Sequence, residues 1–360
     1  MAKYSQKLLI VTTILICIGV IMVYSSSAYY AYEKFYDSSF YLKRHLVHLA
    51  VGLALAALVV KFDYRKIRKH IKLLLGLSIL SLILVFLPKI GHEAGGAKRW
   101  IRIGLFGFQP SEITGFILIF YLADVLERKQ ACIRNFLYGF IPPLIASSIV
   151  VLLVLLQPDL GSAAALLAIA IIMMFVSGVN MKHLIPFGLA ALPAFYFLIF
   201  RVPYRLRRII GYIDPWSDAQ GAGFQIVQSF LALGSGGILG VGLGCSKQKL
   251  FYLPQAHTDF IFSILGEEMG LVGTLGTVLL FSIFIWLGFR IAVNARDLFG
   301  KFLAMGITAN IGLRAAINIA VSTGAIPTKG LPLPFISYGG TALIFNMISV
   351  AILLNIAART

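Results

Sequence analysis

Residues Leu253-Pro-Gln-Ala-His257-Thr-Asp259-Phe-Ile-Phe262 lead into an apolar run that continues to residue 289, with Glu267 and Glu268 its only charges. Such a run is longer than the roughly 20 residues that cross a bilayer's hydrocarbon. Its reading decides the fold: a membrane helix, with an acid held at its edge. Ionisable side chains at such edges usually carry transport or chemistry. Asp259 fits a base, a cation site or a proton relay, and the rest of the chain must choose.

Composition agrees with the membrane reading. Hydrophobic residues make up 59% of the chain and charged residues only 12%, and mean hydropathy is +0.91. Soluble domains carry about 25% charged residues. No polar stretch is long enough for a separate soluble domain, so residues 1–360 read as one all-α, polytopic membrane domain. Apolar spans fall near 8–29, 45–60, 72–88, 111–127, 137–156, 161–179, 183–200, 262–289, 301–322 and 337–357, about ten helices in all. A long extracytoplasmic loop, 201–261, separates the seventh from the eighth. The first apolar segment outlasts the ~7–15 residues of a signal-peptide core, and no small-x-small cleavage site follows, so it reads as a retained helix.

Lysines and arginines in short loops orient the chain. With both termini cytoplasmic, one side collects Lys3, Lys7, the cluster Lys61 to Lys72, Arg128, Lys129, Arg134, Lys182, Arg290, Arg296, Lys301 and Arg359. This arrangement accounts for much of the net charge of +17 without a nucleic-acid partner. It also suits anionic membrane lipids. On the opposite side stand Lys98, Arg99 and Arg102 in one loop, and Arg201, Arg205, Arg207, Arg208, Lys247 and Lys249 in the long one. Solvated basic loops are the plain alternative, and for Lys247 and Lys249 it weighs equally. Arginine forks match phosphate oxygens, so Arg99, Arg205 and Arg208 point to a phosphorylated lipid.

The remaining signals are weaker. Cys17, Cys132 and Cys245 lack any C-x-x-C spacing, and His45 and His48 are a poor metal set. The run Gly234 to Gly244 lacks the strand–turn–helix context of a dinucleotide fingerprint. Gly236, Gly240 and Gly244 suit close helix approach or a re-entrant loop. Gln109-Pro-Ser-Glu112 and Gln157-Pro-Asp159 open helices as dipole-complementing caps. Lys329 lies in a proline-punctuated stretch ending Ser337-Tyr338-Gly-Gly340, and Arg314, inside the ninth helix, needs a partner or a water-filled cavity.

Several motifs in one order resemble the SEDS family over nearly the whole chain. They include Lys98-Arg99-Trp100-Ile, Gln109-Pro-Ser-Glu112, Gln157-Pro-Asp159-Leu-Gly161, Pro203-Tyr-Arg205-Leu-Arg-Arg208, Asp214-Pro-Trp216 and Gly221-x-Gly-Phe-Gln225-x-x-Gln228-Ser229. Lys249-Leu-x-Tyr-Leu-Pro-x-Ala-His257-Thr-Asp259 and Pro327-Thr-Lys329-Gly330, with Ile336-Ser337-Tyr338-Gly-Gly340, complete the set. The stretch beginning at Ser246 is nearer the family's division branch than its elongation branch. The resemblance implies a peptidoglycan glycosyltransferase of a bacterial inner membrane that polymerises lipid II at the outer face, at the division septum. It implies a class B penicillin-binding transpeptidase and other divisome proteins as partners, and a magnesium or manganese ion at an unassigned site.

By the same resemblance Asp259 is the essential acid. Arg99, Trp100, Glu112, Gln157, Asp159, Arg205, Arg208, His257, Lys329, Ser337 and Tyr338 are the expected substrate-binding residues. His257 is alternatively a group that orients Asp259. Family members commonly carry a lysine three residues after the glutamate of Gln-Pro-x-Glu; here it is Gly115, leaving Glu112 to pair with Arg99, Arg102 or Lys329. A lipid II flippase, a non-catalytic divisome scaffold and an elongation-type polymerase are the competing readings.

Overall fold

The computed structural model describes residues 2–88, 90–94, 97–103, 106–201, 203–250 and 252–359. Its helices are α1 Ala2–Phe35, α2 Phe40–Lys61, α3 Ile71–Leu84, α4 Pro110–Arg128, α5 Ile141–Leu156, α6 Leu160–Val176, α7 Met181–Phe200, α8 Pro203–Ile213, α9 Phe224–Gly236, α10 Ile261–Val293, α11 Leu298–Ser322 and α12 Gly340–Ala358. Each apolar span read from the sequence overlies one of α1–α7 or α10–α12. Among the described residues, six helical segments are long and apolar enough to cross a membrane: Lys3–Phe35, Phe40–Lys61, Phe136–Leu156, Ile261–Val293, Leu298–Ser322 and Gly340–Ala358. The molecule is a multi-pass membrane protein.

Local chemistry starts these helices where the sequence suggests. Pro110 occupies the first turn of α4 with Glu112 behind it, where a missing N–H costs nothing and a carboxylate meets the positive dipole end. Asp159 caps α6 by accepting from Ser162 N at 3.1 Å, and Asp297 caps α11 by accepting from Gly300 N at 2.6 Å.

Two regions depart from the expected loops. Three strands, β1 Gly91–Ala94, β2 Ala97–Ile103 and β3 Phe106–Phe108, form a small antiparallel sheet in the order β1-β2-β3. Lys98, Arg99 and Arg102 therefore stand on a strand, not a loop. The long segment 201–261 contains two further helices, α8 and α9. Both segments mix apolar and basic residues too briefly for a span, but enough to order a short element against the bundle.

The core forms where α10 packs on α1, α9 and α11, α11 on α4 and α6, and α12 on α2. Within it, Arg314 of α11 donates through Nη1 to Glu112 Oε2 of α4 at 2.5 Å, both side chains almost wholly buried. This corrects the expected pairing of Glu112 with Arg99, Arg102 or Lys329, and it supplies the partner that Arg314 needs. A charge in hydrocarbon is held by the nearest opposite charge at its own depth, and here that charge comes from another helix.

α10 is not continuous. Gly270 (φ 64°, ψ −161°) breaks it, and the glycine-rich segment after α9 fills the gap. Val241 N donates to Glu267 O at 3.0 Å and Gly242 N to Glu268 O at 3.1 Å, while Leu271 N and Val272 N donate to Gly237 O and Ile238 O. Backbone groups freed at membrane depth need such partners. A methyl group on Gly240 would lie 2.2 Å from Glu268 O, so side chains are excluded from the seam. The close-approach reading holds at Gly240 and at Gly236, whose added carbon would lie 2.0 Å from Gly266 O; at Gly244 nothing is near.

The basic loop between α2 and α3 binds the bundle's end. Arg68 pairs with Asp124 and Glu127, Arg65 with Asp297, and Arg359 with Asp63. The loop therefore joins α3, α4, α11 and α12 besides being basic.

Candidate functional site

The turn carrying Asp259 is fixed by its backbone. Thr258 N and Asp259 N both donate to Gln255 O at 3.1 Å. The carbonyls of His257, Thr258 and Asp259 are each taken by a different donor. Tyr338 N reaches His257 O at 3.0 Å, Ser337 Oγ reaches Thr258 O at 2.5 Å, and Asn318 Nδ2 reaches Asp259 O at 2.9 Å. Asn318 also donates to Leu331 O at 2.8 Å. Residues 257–259 are thereby stitched to α11 and to the proline-rich stretch before α12.

That stitching sets the Asp259 carboxylate against the α-carbon of Gly330, where an added methyl group would lie 2.8 Å from Oδ2. Among the described residues no donor bonds the carboxylate. Burial pushes its pKa up to about 6; Arg208 and Arg99 pull the other way, and Asp159 reinforces the rise. A carboxylate with that pKa is mostly ionised at neutral pH, yet basic enough to take a proton.

Three cations approach the same place. Arg99 Nη2 donates to Pro158 O at 2.6 Å, its Nε to Gln157 O at 3.3 Å, and its Nη1 lies 3.7 Å from Asp159 Oδ2. Arg208 Nη1 donates to Thr328 O at 3.2 Å. Lys329 is half-buried, its side chain packed by Gly161 and near Asp159. Among the described residues its ammonium makes no hydrogen bond or ion pair, and burial lowers its pKa. The proline-rich stretch thus presents a cation with spare donors one residue from the seat of the acid.

The structure brings together Asp259, Arg99, Arg208, Asp159 and Lys329. Other expected binding residues do different work. Gln157 is buried and donates to Leu82 O at 2.9 Å, and Ser337 Oγ spends its proton on Thr258 O while accepting from Leu333 N. Trp100 lies over Gly107 with Arg102, while Arg99 is the extra residue where the β1–β2 register shifts between His92 and Glu93. Arg205 precedes Arg208 by nearly one turn of α8. Glu112 lies in the pair with Arg314. His257 does not orient Asp259: its ring stacks among Tyr30, Tyr41 and Tyr338, and burial holds its pKa down to about 4.

Sequence reasoning missed Asn318 and the seat at Gly330. A signal for the first was present: Asn310, Arg314, Asn318 and Ser322 recur every four residues, one polar stripe on an otherwise apolar helix.

Over residues 6–360 the chain matches the cell cycle protein family comprising FtsW, RodA and SpoVE. It belongs to that family. A probable peptidoglycan glycosyltransferase FtsW of Geobacter sulfurreducens is 48% identical over 358 residues, covering 99% of this chain and 96% of that protein. The stage V sporulation protein E of Bacillus subtilis is 44% identical, covering 97% and 96%. Among solved structures, a chain from a peptidoglycan synthase complex that coordinates polymerization and crosslinking superposes with a TM-score of 0.81 at 30% identity, covering 98% of this chain and 97% of that one. The rod shape determining protein RodA of Thermus thermophilus gives 0.73 at 27% identity, covering 98% and 96%. The family fold thus extends over almost the whole molecule.

Proposed function

We propose that this protein is a peptidoglycan glycosyltransferase that polymerises lipid II at the outer face of the bacterial inner membrane, acting at the division septum. The observation that carries the reading is the Asp259 carboxylate, to which no donor among the described residues bonds, seated against Gly330 next to Lys329 and within the field of Arg99 and Arg208. The full-length likeness to proteins named peptidoglycan glycosyltransferase FtsW supports it.

Asp259 accepts the proton of an acceptor sugar's 4-hydroxyl while that oxygen attacks the donor's anomeric carbon. The bond from that carbon to the lipid diphosphate breaks, and the diphosphate leaves with the electron pair. Attack from the face opposite the leaving group turns an α-linked donor into a β-linked product. A base in this position supplies about 10²–10⁴-fold. Arg99, Arg208 and Lys329 stabilise the charge gathering on the diphosphate, which is where fixed cations contribute most. No second carboxylate need act as an acid, since the diphosphate departs without protonation.

Among the described residues no group of three or more His, Cys, Asp or Glu side chains forms a metal cage. A magnesium ion would be held mainly by diphosphate oxygens, with Asp159 as the protein carboxylate nearest Arg99, and would add positive charge at the leaving group. The likeness to a chain of a synthase complex supports a class B penicillin-binding transpeptidase as partner. The deciding experiment gives lipid II to the purified protein, alone and with its cognate transpeptidase, and scores glycan chains. Asp259→Asn should abolish polymer while folding and partner binding persist; undiminished polymer from that variant would sink the mechanism.

A further inference from the structure

α1 and α2 bring to the acid's flank a set of rings that the proton-transfer step leaves unused. The Tyr41 ring centre lies 4.7 Å from that of His257 and 5.0 Å from Tyr338, edge to face. Tyr30 stacks on His257 at 5.8 Å with planes 28° apart and lies 6.1 Å from Tyr41. All four residues are partly exposed, so the cluster borders solvent, with the His257 imidazole largely covered by its neighbours. Aromatic belts at membrane interfaces are a simpler source of exposed tyrosines, and Tyr29, Tyr32 and Tyr36 fit that description. These four differ because they converge on one backbone segment. His257 lies two residues from Asp259, no more than ~7 Å along the chain, and its carbonyl is held by Tyr338 N.

The chemistry of the cluster matches one kind of ligand. Stacked and edge-on rings offer flat apolar faces to the C–H face of a pyranose, while phenol hydroxyls offer hydrogen bonds to its rim. The imidazole, with its depressed pKa, is neutral at physiological pH and adds a further polar edge. Arg44, seated over Phe40 at 4.3 Å and interacting with Tyr338, closes the cluster with a cation. Resting on the glycosyltransferase reading, we propose that Tyr30, Tyr41, His257 and Tyr338 form a saccharide platform, which binds a sugar ring of the lipid-linked substrate beside Asp259. Arg99, Arg208 and Lys329 answer the diphosphate; the rings answer the sugar.

The test measures binding to the full chain with its transpeptidase in nanodiscs, using lipid II and, as a probe without sugar, undecaprenyl diphosphate. Tyr41→Leu keeps apolar bulk but removes the ring, and should weaken lipid II binding about tenfold while leaving undecaprenyl diphosphate unchanged. Tyr41→Phe should stay within about twofold of the parent. Tyr338→Leu gives the same reading should the first variant fail to fold. Equal weakening toward both probes, or no weakening toward either, overturns the platform. A soluble glycan oligosaccharide separates the sources of the sugar: its loss with Tyr41→Leu assigns the platform to the acceptor, its retention beside weakened lipid II to the donor. Failure of the enzyme reading is visible separately, as undiminished polymerisation by Asp259→Asn.

Discussion

Asp259 couples activity and stability with opposite signs. As the proposed base it must be ionised, so kcat/KM should fall as pH drops through about 6, a limb to be read from polymerisation rates across pH. Its folded pKa lies above the ordinary 3.8, so the folded state binds its proton more tightly than the unfolded chain. That contribution is complete below the unfolded value and is lost as pH rises through about 6. At pH 7.5 Asp259→Asn should therefore match or exceed the parent's melting temperature, with the difference vanishing below pH 4. The buried pair behaves otherwise. Arg314→Met strands Glu112 in an apolar interior and should cost about 3–5 kcal/mol, and Glu112→Met with Arg314→Met should recover most of it. Thermal unfolding in detergent checks both. The sequence marked Asp259, Arg99, Arg208 and Lys329, because rare charges in an apolar chain stand out. It hid the partner of Glu112, since 202 residues separate the pair and several cations were free to serve.

Among the elements, hydrophobic runs made the long helices legible, for a bilayer demands ~20 apolar residues in sequence. The break in α10 was not legible. Apart from Glu267 and Glu268 its composition is apolar on both sides of Gly270, and only the docking of residues 237–242 shows where the hydrogen bonds change hands. α8 was hidden for a related reason: it borrows its order from residues distant in the chain, as when Arg208 reaches Thr328 O and Tyr212 reaches Ala325 O. The seam at Gly270 predicts a contrast between two glycines. Gly240→Ala adds a carbon 2.2 Å from Glu268 O at a positive φ and should destabilise by several kcal/mol or block folding. Gly276→Ala, on the same broken helix α10 with nothing within 4 Å, should be neutral or stabilise by up to about 1 kcal/mol. Yield and melting temperature of the purified variants distinguish the two.

For the whole molecule, the orientation read from basic loops has a direct test in its own cysteines. Cys245 is exposed and Cys132 partly so, the first in the segment after α9 and the second between α4 and α5. With Cys17 replaced by Ser, an impermeant maleimide should label Cys245 in intact spheroplasts and reach Cys132 only after permeabilisation. Labelling of Cys132 alone would invert the topology and remove Asp259 from the outer face.

The stitching of residues 257–259 also bears on how a population of molecules behaves. Ser337, Tyr338 and Asn318 hold main-chain oxygens, so losing the acid's side chain leaves the scaffold and every outward surface intact. An Asp259→Asn copy should still be recruited and still claim a transpeptidase, stalling the assembly it enters. Mixed with functional copies, it should act as a dominant poison, whereas a copy that fails to fold would be recessive.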